Sequence, residues 1–343
     1  MDFTQVSFHT FGYELPPNVL RSDEIEQRLA SLYERLRLPE GRLELMSGIV
    51  ERRFWDPGTK PSEAATFSGE KVLQDSGFNP NQIEALFFTS VSRDMMEPAT
   101  ASFVHKALNL SEDALVFDIS NACLGFLDGI LMLANMIEVG QVDNGLIVSG
   151  ETAEELMEST IFSLQNDTTL TRKTIKPAFA SLTIGSGSAG LLLTRAKKGD
   201  GRPRLRHGAW RAHTSHSNLC LGDRNSGNTI LMDTDSEQLL HQGVATAKET
   251  WKKFSKEGWE ADDVDCFFCH QVGSAHAKLL FNSLGLNPEK NYQTLRKLAN
   301  IGSASAPLTM ALAMEEGVFQ PGQKGALLGI GSGINCMMLG VEW

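Results

Sequence analysis

The chain has 343 residues, 41% of them hydrophobic, and a formal charge of −11 from 31 basic and 42 acidic side chains. That length implies one large α/β unit or about two domains, and the ordinary apolar fraction excludes a disordered or membrane-embedded chain. The acidic balance excludes a general nucleic-acid surface. Five cysteines form an odd set in so large a chain, which argues against a disulfide framework. The opening MDFTQVSFHT lacks the basic start and apolar core of a signal peptide, so a cytoplasmic location is expected. The longest apolar candidate, Leu124–Val139, contains Asp128, Asn135 and Glu138, and no membrane span is predicted.

In chain order, the first buried strand is LFFTSV, from Leu86 to Val91, followed by a loop, RDMMEPAT, that carries Glu97. ALVFDI, ending at Ile119, is a second apolar run, and after Ser-Asn-Ala comes Cys123. The next segment carries Leu124, Phe126, Leu127, Ile130, Leu131, Leu133 and Ile137 around most of a helical circumference. A helix apolar on nearly all sides is predicted to lie between two sheets. GLIVSG, from Gly145 to Gly150, is the third strand, and Glu154–Phe179 is a plausible cap over the site. Gly185–Gly190 satisfies the dinucleotide pattern G-x-G-x-x-G, but a strand rather than a helix comes next, so no helix N-terminus is offered to a pyrophosphate.

The charged turn Thr194–Gly208 joins two halves, taken as residues 1–195 and 196–343, because the sequence repeats across it. IEALFFTSVS resembles VDCFFCHQVG at an offset of 181, MLANMIEVG resembles TMALAMEEG at 177, and GLIVSG resembles GALLGI at 180. These offsets align Cys123 with Asn300 and Thr89 with His270, so equivalent loops are expected to meet at one site with different groups. A helix N-terminus favours an anion, so the Cys123 thiol is expected to ionise below its ordinary range and act as a nucleophile.

Asn-Ala-Cys between a buried strand and an apolar helix resembles the nucleophile motif of the thiolase superfamily, in its ketoacyl synthase III branch. HQVGSAH (His270–His276), ANIGSASAP (Ala299–Pro307) and LGIGSGINC (Leu328–Cys336) resemble that branch's histidine, asparagine and glycine-loop motifs. A narrower resemblance, carried by SVSRDMMEPATAS, DISNACLGF, GET and LLGIGSGINC, is to the OleA-type enzymes, which join two fatty acyl-CoAs head to head. The resemblance implies a five-layered αβαβα fold of two pseudo-symmetric halves, normally a homodimer. It implies an acyl-enzyme at Cys123, an oxyanion hole from the backbone N–H groups of Cys123 and Ser332, and an enolate held by His270 and Asn300. Glu97 matches a glutamate that reaches into the partner's pocket and would remove a proton from the α-carbon of the second thioester.

The reaction implied by this resemblance is a non-decarboxylative Claisen condensation of two fatty acyl-CoA thioesters to a 2-alkyl-3-oxo acid. The alternative is decarboxylative elongation with malonyl-carrier protein, which shares Cys123, His270 and Asn300. Fatty acyl-CoA or an acyl-carrier protein is the expected partner, together with downstream lipid-pathway enzymes. Coenzyme A enters as substrate, and no resident cofactor or metal is expected. Cys266 and Cys269 have redox spacing but sit on one strand, where positions three apart face opposite sides. His213, His216 and Cys220 lie in a loop-like stretch and are not read as a metal site. The basic residues from Arg195 to Arg206 are read as a solvated turn, and Arg52 and Arg53 lie in a segment resembling a nucleotide-proximal region.

Overall fold

The computed structural model describes residues 1–224, 230–256 and 258–343. Nine strands form one mixed sheet: β1 (Val6–Glu14), β2 (Ala85–Phe88), β3 (Leu115–Asp118), β4 (Asn144–Glu151), β5 (Gly187–Arg195), β6 (Arg204–Ala212), β7 (Cys266–Cys269), β8 (Lys324–Gly331) and β9 (Asn335–Glu342). Their order is β7-β8-β9-β6-β1-β5-β4-β2-β3. A single register pair, Ser7 with Arg204, joins β1 to β6, so the sheet divides there into two parts.

The two parts are built alike. In the first, β2 is parallel to β3 and β4, while β5 runs antiparallel to β4 and β1. In the second, β7 is parallel to β8, while β9 runs antiparallel to β8 and β6. The counterpart of β3 is reduced to one parallel bridge, Phe267 with Asn291. The Thr89 amide donates to the Val148 carbonyl and the His270 amide to the Leu328 carbonyl, as the internal repeat requires. The predicted boundary after residue 195 falls between β5 and β6.

Strand alternation sorts side chains into three cores. Phe87, Ile147, Leu191 and Leu193 from one half share a central cluster with Phe268, Leu327, Met337 and Leu339 from the other. Between them lie α3 (Gly125–Glu138) and α6 (Ser305–Glu315), whose Phe126, Ile130, Leu133, Leu308 and Met310 are fully buried. On the outer face of the first half, α1 (Pro61–Ser76) and α2 (Thr100–Ala107) cover Leu86, Phe88, Leu146 and Val148. On the outer face of the second, α4 (Ser236–Phe254) and α5 (Ser274–Leu284) cover Phe267, Cys269, Ala326 and Leu328. The result is the thiolase-like layering of helices and sheet. Cys266 faces the central core and Cys269 the outer one, so the pair forms no redox unit.

Residues 154–179 contain two helices, Glu154–Asn166 and Lys176–Phe179. They pack with the N-terminal helices through Met157, Ile161, Leu164 and Phe179 into a separate apolar cluster with Ile25, Leu29 and Leu32. Among the described residues no helix is long and apolar enough to cross a membrane.

The start of α3 is held against the strand layer by a close approach. A Cβ on Gly125 would sit 2.3 Å from the Thr89 carbonyl oxygen. Gly125→Ala improves helix propensity by about 1 kcal/mol, but overpacking against a fixed carbonyl costs about 1–3 kcal/mol. Denaturant unfolding is expected to show a lower midpoint for the variant; a midpoint at or above the parent's would contradict this packing.

Candidate active site

Four loops meet at the ends of α3 and α6. The Cys123 turn precedes α3, whose first helical residue is Gly125, with Leu124 at the cap. The turn is fixed by a side-chain relay in which Asn121 Nδ2 donates to Asp128 at 2.8 Å and Asn335 Nδ2 donates to Asn121 Oδ1 at 2.9 Å. That relay ties the cysteine to the glycine loop between β8 and β9. Gly331 lies against it, where an added Cβ would stand 3.6 Å from the Cys123 backbone nitrogen.

The residue before each aligned position has a positive φ. Ala122 has φ of +47° and Ala299 φ of +60°, both in the left-handed region that L-residues avoid. Holding an alanine there costs on the order of 1–2 kcal/mol, and such outliers persist where surrounding packing over-determines them.

Asn300 is buried, and its Oδ1 accepts the Gly302 amide at 3.0 Å, which leaves the side-chain Nδ2 as the free donor. The Gly302 carbonyl acts on His270 and favours its charged form, but burial wins and pushes the imidazole down to about 4. His270 is therefore neutral at neutral pH, and its buried Nδ1 has no protein partner. His276, depressed by burial as well, lies close enough to disfavour charge on His270.

Cys123 departs from the sequence-based expectation. Its thiol is pushed up to about 12, first by burial, then by the nearby Glu151 carboxylate and the Cys220 thiol, and only its own backbone amide opposes this. The cysteine precedes the helix instead of occupying its first turn, so desolvation outweighs the favourable end of the helix dipole. The resting pair is a neutral thiol and a neutral imidazole.

His270 and Gly331 line one cleft with Leu240, Val244, Leu280 and Asn291, holding about 730 Å3 of empty space including its open mouth. The cleft wall is largely apolar, and Asn291 Oδ1 is buried there without a partner. A ligand with an apolar arm and an N–H donor fits this chemistry.

Cys123, His270, Asn300 and the Ser332 loop are thus linked through Gly331, Gly302 and Glu151. Glu97 is not brought to them within this chain. It is exposed, without a hydrogen bond or ion pair among the described residues, at the tip of a loop with firm roots. Asp94 accepts from the Ser62 amide and hydroxyl, and Asp118 accepts from the amides of Thr100 and Ala101. Glu151, the central residue of GET, is a site residue whose role carries no mark in the local sequence. It lies buried at the end of β4 and accepts from both Ser92 and Ser303.

The remaining sequence features resolve simply. Arg52 is buried and bonded to the Leu20 and Leu182 carbonyls and the Ser22 hydroxyl, so it presents no free guanidinium to a phosphate, while the half-buried Arg53 donates through one nitrogen to the Pro16 carbonyl. In the turn between halves Arg195, Arg204 and Arg206 pair with Asp143, Asp200 and Glu342. Among the described residues no group of three or more His, Cys, Asp or Glu could hold a metal.

The depressed histidine sets a pH expectation. Protonation removes its capacity to accept a proton, and with its titration near 4 it stays neutral through the ordinary histidine range. Transfer of an acyl group to the enzyme should hold as pH falls through 6.5 and fail only near 4, read from the acid limb of single-turnover acylation. Conversely, alkylation of Cys123 by iodoacetamide should be slow at neutral pH and climb toward pH 11; a plateau at or below pH 8 would contradict the raised thiol.

Models for 3-oxoacyl-[acyl-carrier-protein] synthase III match residues 117–174, and for its C-terminal region residues 254–343. The chain is 39% identical to an acyl-CoA:acyl-CoA alkyltransferase of Shewanella oneidensis, with all of both chains covered. It is 36% identical to the protein of the same name from Xanthomonas campestris, again over the whole of both. A β-ketoacyl-[acyl-carrier-protein] synthase III of Rhodospirillum rubrum is 26% identical over 89% of this chain and 91% of that one. Among solved structures, Xanthomonas campestris OleA bound to cerulenin superposes with a TM-score of 0.95 at 35% identity, covering 100% of this chain and 98% of that one. A cysteine-to-serine variant of the same OleA with bound lauric acid and lauroyl-CoA gives 0.94 at 35% identity, covering 99% and 100%. With its thiolase-like layering, paired loops and full-length likeness at these identities, the chain belongs to the acyl-CoA:acyl-CoA alkyltransferase (OleA) family of acyltransferases.

Proposed function

We propose that this protein condenses two fatty acyl-CoA thioesters without decarboxylation, giving a 2-alkyl-3-oxoacyl thioester that is hydrolysed to the acid. The observation that carries the proposal is the position of Glu97. In the Xanthomonas structures a cysteine and a glutamate have each been replaced, and those two lie the same number of residues apart as Cys123 and Glu97 here. A condensing enzyme that ejects carbon dioxide needs no carbon base, whereas one that deprotonates an ordinary acyl thioester requires a positioned one.

In the first half-reaction the Cys123 proton passes to neutral His270 as sulfur attacks the thioester carbonyl. The backbone N–H groups of Cys123 and Ser332 hold the oxyanion, the bond to the CoA sulfur breaks, and CoA leaves with the proton. In the second, Glu97 of the partner subunit takes a proton from the α-carbon of another acyl-CoA. His270 and the Asn300 Nδ2 donate to the resulting enolate oxygen, and its carbon attacks the acyl-cysteine carbonyl. A carbon–carbon bond forms, the carbon–sulfur bond breaks, and Cys123 is released to be protonated again. A neutral imidazole suits both roles, as acceptor in one step and donor in the other.

Several surface features support a homodimer. The edge strand β3 leaves Leu115 42% exposed, and the Glu97 loop carries Val91 at 47% and Met96 at 95% exposure. An unpaired edge beside exposed apolar side chains is a surface that natural proteins cover. The apolar cleft at His270 suits an acyl-pantetheine arm.

Mixing the protein with one fatty acyl-CoA and no malonyl thioester should release CoA well beyond one equivalent. A stalled single burst would favour the decarboxylative alternative. Cys123→Ala should abolish release altogether with the fold retained, while Glu97→Gln should leave the burst and lower turnover by roughly 100-fold or more, the scale of a lost general base.

A further inference from the structure

We propose that Glu151 is a positioning residue for the condensation step, clamping the Asn300 loop of one half to the root of the Glu97 loop of the other. The inference rests on the function proposed above. Glu151 ends β4 and is 4% exposed. Its Oε1 accepts the Val91 amide at 2.9 Å and the Ser303 amide and hydroxyl at 3.0 and 2.9 Å. Its Oε2 accepts the Ser92 amide and hydroxyl at 3.2 and 3.1 Å. One carboxylate therefore receives donors from two loops, at Ser303, 152 residues away from it in the chain, and at Ser92, 59 residues away.

The rest of the environment fixes the carboxylate. Trp55 Nε1 donates to the Glu151 carbonyl at 3.0 Å. Behind it runs a row of buried hydroxyls, with Ser90 3.2 Å from Ser149 and Ser149 2.8 Å from Ser303. Gly302, whose amide orients Asn300 Oδ1, leaves no room for a side chain, because a Cβ there would fall 2.6 Å from Glu151 Oε1. Val91 and Ser92 begin the loop that carries Glu97 toward the proposed partner. The clamp thus sets the Asn300 donor of this chain's site and the base offered to the partner's site.

The nucleophile depends on it differently. Glu151 disfavours the charged form of Cys123, so removing its charge does not impede thiolate formation. Loss of the clamp should injure condensation and spare acylation. A purely structural role would injure both.

Glu151→Gln keeps the shape but turns one acceptor into a donor, so whichever way the amide is turned, either the Val91–Ser303 side or the Ser92 side meets donor with donor. With a fatty acyl-CoA as sole substrate, the CoA burst should keep its one-equivalent amplitude and a rate within about threefold of the parent. Steady-state condensed product should fall about 100-fold, the scale of an ångström of misplacement. Ser303→Ala, which deletes a single hydroxyl of the clamp, guards against a variant that fails to fold, and should lower the same step about tenfold and leave the burst intact. The proposal is overturned if burst and turnover fall together, in step with the melting temperature, or if turnover is unchanged in both variants. Should the parent chain itself stop after one burst, the condensation reading fails and the clamp with it; a parent that turns over and variants that do so equally well condemn the clamp alone.

Discussion

The central constraint is the sandwiching of two apolar helices between two matched sets of strands. Both α3 and α6 bury most of their circumference: Phe126, Ile130 and Leu133 on one, and Leu308, Met310 and Ala313 on the other, all belong to one core with inward side chains of both halves. Because that core is close-packed, neither helix can slide or rotate without opening voids. The helix starts are therefore fixed points, and the two loops that enter them, ending in Cys123 and Asn300, are held at one place. Backbone strain at Ala122 and Ala299 is tolerated for the same reason.

From that constraint the electrostatics arise. A pocket dry enough to hold an apolar acyl chain is also dry enough to raise a thiol and depress an imidazole. Burial drives Cys123 up to about 12 and His270 down to about 4, so both groups rest uncharged at neutral pH. The helix dipole, which dominated the expectation from sequence, is a weaker influence than desolvation here because the sulfur lies ahead of the first helical residue.

Much of the architecture is legible in the sequence. The repeat offsets locate the equivalent strands, and the all-round apolar pattern after Cys123 correctly predicts a helix buried between layers. Period-two alternation correctly separates Cys266 from Cys269. The features that escape have physical causes. The direction of the Cys123 shift depends on depth, which local sequence does not encode. Glu151 looks like any acidic residue after a strand, and its significance arises from donors at Val91, Ser92 and Ser303 that only the fold gathers. The left-handed alanines are invisible because alanine carries no mark of that conformation, unlike glycine.

The anchoring of the Glu97 loop has a consequence for assembly. Asp94, Asp118 and Glu151 secure its roots entirely from within its own chain. The tip is shaped before any second subunit arrives, and the entropy of ordering it is settled during folding. In the proposed dimer, docking two such preformed surfaces would lose little further freedom, leaving more of the apolar area exposed at Val91, Met96 and Leu115 available to hold the pair together.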